Sequence, residues 1–233
     1  MENENIKTSK PKLLMKAGFI LLLILLFVSS VLFLSAGSLK FRNAWMLIGE
    51  FFLLEFIFII YLAVKEPELL QKRTNFKEKE KTQMAFNILV WTLVIIAILI
   101  IPGLDFRYHW SHVPVWLVIV ASTIMLFGFI MVAVVMKQNI YTSRTIEIQE
   151  GQKLIDSGLY SIVRHPMYLF GLIVICSMPL ILGSVYAFIL LIIFCPLLFI
   201  IRILNEEKVL KDNLNGYTEY MQEVKYRLIP FAW

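Results

Sequence analysis

The chain has 233 residues, 59% of them apolar and 17% charged, with a formal net charge of +5; soluble domains run at about 45–50% apolar and about 25% charged. Successive apolar runs near the 20 residues that cross a bilayer as helix exclude a water-soluble globular protein. The positive balance flanks those runs, so it reads as topology and attraction to anionic headgroups, with no case for nucleic acid.

In chain order, a polar lead carrying Lys7, Lys10, Lys12 and Lys16 precedes a first apolar stretch at 17–37. No small-residue cleavage site follows and a second span comes next, so this stretch is expected to stay as an anchor. Further stretches lie at 44–64, 84–101, 113–136, 169–182 and 185–201. The expected fold is all-α: a polytopic membrane helical bundle of about six hydrophobic spans. The last two are short and separated only by Gly183-Ser184, which predicts a tight C-terminal helical hairpin, tilted or not fully spanning. All but three of the 22 Lys and Arg fall on one side, the exceptions being Lys40, Arg42 and Arg107. Because such residues hold short loops in the cytoplasm, both termini are expected there in a multi-pass integral membrane protein.

Within the second stretch, Glu50 lies near the outer end and Glu55 nearer the middle. Ionisable groups at that depth are costly and face protein or water, which makes Glu55 a candidate substrate contact beside a paired structural role. The segment 103–112 reads as an outer loop. Its His109 and His112 lack a third metal ligand, and an interfacial belt with Tyr108 and Trp110 is the expected reading, with no metal. Cys176 and Cys195 fall inside the hairpin's apolar arms and read as packing residues.

After the fourth span the chain is polar for about thirty residues before Tyr160-Ser161-Ile162-Val163-Arg164-His165-Pro166-Met167-Tyr168 leads into the hairpin. Pro166 suits the first turn of that helix, whose free amides would face a polar ligand. On the other arm stand Arg202, Glu206 and Glu207. Arg202 and Glu206, four apart, share a face, and Glu207 is rotated away, so the two acids would serve different partners. An Arg and two acids at a helix end also fit simple snorkelling; the hairpin is what brings the two polar groups to one end. The tail from 206 to 226 is polar and helix-prone, broken at Asn215-Gly216 and closed by an aromatic segment. Thus 1–136 reads as N-terminal transmembrane helices, and 137–233 as the region where the polar groups concentrate. No phosphate-loop, dinucleotide, serine-elbow or zinc-protease motif occurs in the chain, and no repeat.

The motif Arg164-His165-Pro166-Met167-Tyr168, the later Arg202 and Glu206-Glu207, and the closing Gly216-Tyr217-Thr218-Glu219-Tyr220 and Tyr226-Arg227-Leu228-Ile229-Pro230 resemble the isoprenylcysteine carboxyl methyltransferase family. That family includes bacterial members and the related phospholipid methyltransferases. The resemblance covers about 139–233; the segment 103–107 resembles bacterial members more weakly. It implies S-adenosyl-L-methionine as cofactor and methylation of a lipophilic small-molecule or lipid substrate among membrane lipids, with the cofactor site cytoplasmic. It places Gln149, Gln152, Lys153, Leu154, Ile155, Tyr160, His165, Pro166, Met167, Tyr168 and Glu207 around the cofactor, Arg202 against the acceptor, and Arg202, Glu207 and His165 at the chemistry. An isoprenylcysteine-type carboxylate is already nucleophilic; an amine or thiol acceptor would need a base, from Glu206 or Glu55. Two alternatives stay open: an NADPH-dependent membrane sterol or lipid reductase, which shares the motif, and a non-catalytic membrane protein on the same scaffold.

Overall fold

The structure is a computed structural model and describes residues 10–74, 92–141 and 151–233. It is all-helical among these. Helix α1 (Lys10–Ala36) and α2 (Arg42–Lys65) form the first antiparallel pair, and α3 (Pro67–Arg73) follows. A π-helical turn at Ile96–Ile100 runs directly into α4 (Ile101–Tyr108). Then come α5 (Val115–Gln138), the hairpin of α6 (Pro166–Ile181) and α7 (Val185–Asn213), and a short α8 (Tyr217–Glu223).

Helices α1, α2, α5 and α7 are each long and apolar enough to cross a membrane. Their apolar residues turn outward as well as inward: only 11% of the apolar window of α1 is buried. In lipid that outer surface needs no cover, and what joins the helices is close packing. Two contacts require glycine. A Cβ on Gly103 would lie 1.8 Å from Ser35 Oγ, and one on Gly128 would lie 2.7 Å from Val174 Cγ2. These positions bring α4 onto α1 and α6 onto α5. Ser35 also donates to the carbonyl of Leu99 at 3.1 Å, one of the groups in the π turn, where the ordinary helical ladder is displaced. The main core joins Leu32, Phe41, Leu47, Ala121, Met125, Ile181 and Leu191.

Three sequence expectations shift. Segment 103–112 is helical up to Tyr108, because Pro102 starts the turn and buried Asp105 fastens it; His109, at φ 55, ends it. His109 and His112 are exposed while Tyr108 stacks on Trp110 at 5.7 Å, the expected aromatic belt. The fifth stretch begins at Pro166 rather than 169, and the sixth runs to Asn213 rather than 201. A helix does not stop where its side chains become charged. At 1.5 Å per residue α7 is about 43 Å long, against about 30 Å of hydrocarbon, so its last turns, with Glu206 and Glu207, exceed the length a span needs. The third predicted stretch lies partly in 75–91, outside the described residues.

At the hairpin's turn Gly183 takes φ 84 and Ser184 caps α7, accepting from Ala187 N at 3.3 Å. Ser184 Oγ donates to Asp105 Oδ2 at 2.6 Å, and Ser111 donates to the same carboxylate through its N–H at 2.8 Å and its hydroxyl at 2.6 Å. Asn43 Nδ2 donates to the carbonyl of Ile181 at 2.8 Å. The turn is thus bolted to α2 and α4 at the end of the bundle opposite His165.

Candidate active site

Arm α7 is much the longer of the two, and residues equidistant from the Gly183-Ser184 turn face each other. Tyr168 meets Phe199 edge-on at 5.4 Å, and one helical turn beyond Phe199 lies Arg202. Arg202 Nε donates to Tyr168 Oη at 2.9 Å, and Tyr168 donates in turn to Glu206 Oε2 at 2.5 Å. A guanidinium, a phenol and a carboxylate therefore form one chain where the hairpin leaves its apolar part. The His165 ring stacks on Tyr168 at 5.6 Å and joins this chain to a second one.

The second chain centres on Glu207, which is 5% exposed. Its Oε1 accepts from Arg164 Nε at 2.7 Å and lies 3.3 Å from His165 Nε2, while its Oε2 accepts from Arg227 Nε at 2.9 Å. Burial alone would raise this carboxyl, which lies beyond the apolar stretch of α7. The hydrogen bonds from His165 and Arg227 and the electrostatic pull of His165 and Arg164 outweigh that and hold it down at about 2. An ionised carboxylate only accepts, so the His165 proton facing it sits on Nε2. The two adjacent acids do serve different partners, as their rotation on the helix predicts.

Arg164 is a residue that sequence reasoning left off the site. It is buried, and its Nη1 donates to the carbonyls of Val224 at 3.0 Å and Met221 at 3.3 Å. These are the open carbonyls at the end of α8, where a cation is favoured. The N–H groups of Arg164 and His165 donate to the carbonyls of Tyr226 and Arg227, each at 2.9 Å. The motif before α6 and the chain's last segment are thereby one unit. The available signal was the motif itself, in which a cation beside an imidazole precedes a helix; its partner, 43 residues on, was invisible.

Of the other expected site residues, Pro166 opens α6 and is buried, but the N–H of Tyr168 turns back to the His165 carbonyl and that of His165 is bonded to Arg227. Two of the amides that this helix start was expected to offer a ligand are therefore spent. Leu154 packs with Tyr217, Tyr220 and Val224, whereas Ile155, Tyr160 and Met167 pack around Val135 and Phe170. Tyr160 is buried, which pushes its phenol up to about 12, and its carbonyl accepts from Tyr220 Oη at 2.6 Å. Leu159 N donates to Gln138 Oε1 at 3.0 Å, tying this loop to the end of α5. Gln152 is half-buried, Lys153 is exposed, and Gln149 lies outside the described residues. Glu55 is half-buried on α2, ten residues or about 15 Å along the axis from that helix's end at Lys65. Glu50 accepts a hydrogen bond from Ser122 of α5. Cys176 and Cys195 are both free, and no cluster of three or more potential metal ligands occurs among the described residues.

Residues 116–215 match the model of the family Phospholipid methyltransferase. The match begins in α5, takes in Arg164, His165, Tyr168, Arg202, Glu206 and Glu207 but not Arg227, and ends just before α8. The chain is also similar to the Delta(14)-sterol reductase TM7SF2 of Mus musculus, with 32% identity over 91 residues. That similarity covers 38% of this chain and 22% of the mouse protein, so the chain spans about a fifth of the relative's length.

Proposed function

We propose that this protein is an integral membrane methyltransferase that uses S-adenosyl-L-methionine and acts on a lipophilic acceptor, by carboxyl O-methylation of isoprenylcysteine-like substrates. The observation that carries this reading is the convergence of His165, Tyr168, Arg202 and Glu207 at one end of an apolar hairpin, inside the matched segment. The residues present fit the cofactor. Carboxylates can accept from its ribose and amino groups, phenols can donate, and aromatic faces at His165 and Tyr168 can flank a cation. When bound, that cofactor supplies an electrophilic methyl group on a positively charged sulfur.

The chain's own residues then have separable tasks. Glu207, held by Arg164 and Arg227, fixes His165 and the cofactor side of the site. Tyr168 sets the plane of the Arg202 guanidinium through Nε, which prepares a fork suited to a carboxylate. A carboxylate needs no base, only alignment and exclusion of water, and the apolar arms of α6 and α7 provide the dry surroundings. In this reading 1–136 supplies the acceptor side and 137–233 the catalytic region, with both termini and the site cytoplasmic.

The similarity to a sterol reductase favours a second reading, reduction of a lipid by NADPH. Calorimetry on the detergent-purified chain separates the two. Saturable binding of S-adenosyl-L-methionine, weakened at least tenfold in His165→Ala, is expected; binding of NADPH instead would overturn the methyltransferase.

A further inference from the structure

Tyr217 opens α8 directly after Gly216, whose φ of 83 turns the chain back toward the site. The side chain is 3% exposed, and its ring packs against Tyr220 at 5.7 Å, among Leu154, Leu210 and Leu214. Its hydroxyl is buried and, among the described residues, is the buried side-chain polar atom left without a hydrogen-bond partner. A buried donor of this kind costs stability unless something satisfies it. The carboxylates whose charge reaches it are bonded to other groups: Glu207 to Arg164, His165 and Arg227, and Glu206 to Tyr168. Burial, and then the charges of Glu207 and Glu206, push the phenol upward, so it keeps its proton and is a donor.

We propose that Tyr217 is a cofactor-contact residue whose hydroxyl donates to a neutral acceptor on the cofactor's nucleoside, a ribose oxygen or a ring nitrogen. The inference rests on the S-adenosyl-L-methionine reading of the site. The acceptor is neutral because Glu206 and Glu207 would repel the carboxylate at the cofactor's amino-acid end. The apolar walls of Leu154, Leu210 and Leu214 suit a flat base better than a charged chain. Tyr217 lies beyond the segment that matches the family, so this contact is carried by the structure.

The test is Tyr217→Phe in the full chain, purified in detergent. Without ligand its thermal midpoint should rise, by about 2–4 °C, because the unsatisfied donor is gone. Its affinity for S-adenosyl-L-methionine, and equally for 5′-methylthioadenosine, which lacks the amino-acid end, should fall about tenfold by calorimetry. A lower midpoint would overturn the proposal by revealing a structural partner for the hydroxyl. So would unchanged affinity, or a loss seen with S-adenosyl-L-methionine and absent with 5′-methylthioadenosine. Failure of the wild-type chain to bind either probe would instead remove the reading of the site itself, and this inference with it.

Discussion

The hairpin holds a buried carboxylate at each end, and the two are surrounded differently. Asp105, 2% exposed, accepts from two serine hydroxyls and one backbone N–H. Glu207, equally buried, is gripped by two guanidiniums and an imidazole. Uncharged donors suffice to fasten a turn to its neighbours. Concentrating three nitrogen-bearing side chains on one acid does something else: it fixes charged, directional groups in a small volume, which a fastening would not need and a binding site does. In the proposed reading the Asp105 end fastens and the Glu207 end recognises, and both halves of that division can be broken.

The largest effect is expected from Glu207→Ala, which strands Arg164 in the interior without its counter-charge. A loss of about 3–5 kcal/mol is expected, read from thermal unfolding in detergent, together with loss of cofactor binding. Next comes acid. The Glu207 carboxyl sits at about 2, below its ordinary 4.5. Its contribution is therefore in place above about pH 4.5 and is lost as pH falls toward 2. That contribution is on the order of 3 kcal/mol, and Glu207→Gln should flatten the midpoint-against-pH curve below pH 4.5. A curve of unchanged slope would show that Glu207 is not held low by its neighbours. The smallest of the three is Asp105→Ala, expected to cost about 2–3 kcal/mol. Its cofactor affinity, measured by calorimetry, should be unchanged; a fall in affinity would mean that the far end also shapes the site.

Much of the fold was legible because lipid imposes a length and a composition on any helix that crosses it. Stretches 44–64 and 113–136 agree closely with α2 and α5, and 17–37 with the end of α1, which starts seven residues earlier at Lys10. The boundaries at 103–112 and after 201 were misread for one reason: charge marks where a helix meets water, and hydrogen bonding marks where it ends. Within the site, Arg202, Glu206 and Glu207 were legible from helical spacing, and His165 and Tyr168 from the motif. Arg164 and Arg227 were not, because their significance lies in partners across the fold, and Tyr217 was not, because the fold alone buries its hydroxyl without one. A buried arginine and a snorkelling one are the same letter in a sequence.

The sequence by itself determined that the chain lives in a membrane, that its last apolar segments fold back on each other, and that polar groups gather at one end of that hairpin. Apolar length and a two-residue turn leave the backbone few other ways to satisfy its hydrogen bonds in lipid. Only the tertiary structure decided which acid bonds to which cation, that the final segment pairs with the Arg164-His165 backbone, and that the Tyr217 hydroxyl is buried without a partner. Those outcomes depend on distances between residues far apart in the chain, set by glycine-permitted contacts and the arm lengths of the hairpin, and spacing along the chain does not encode them.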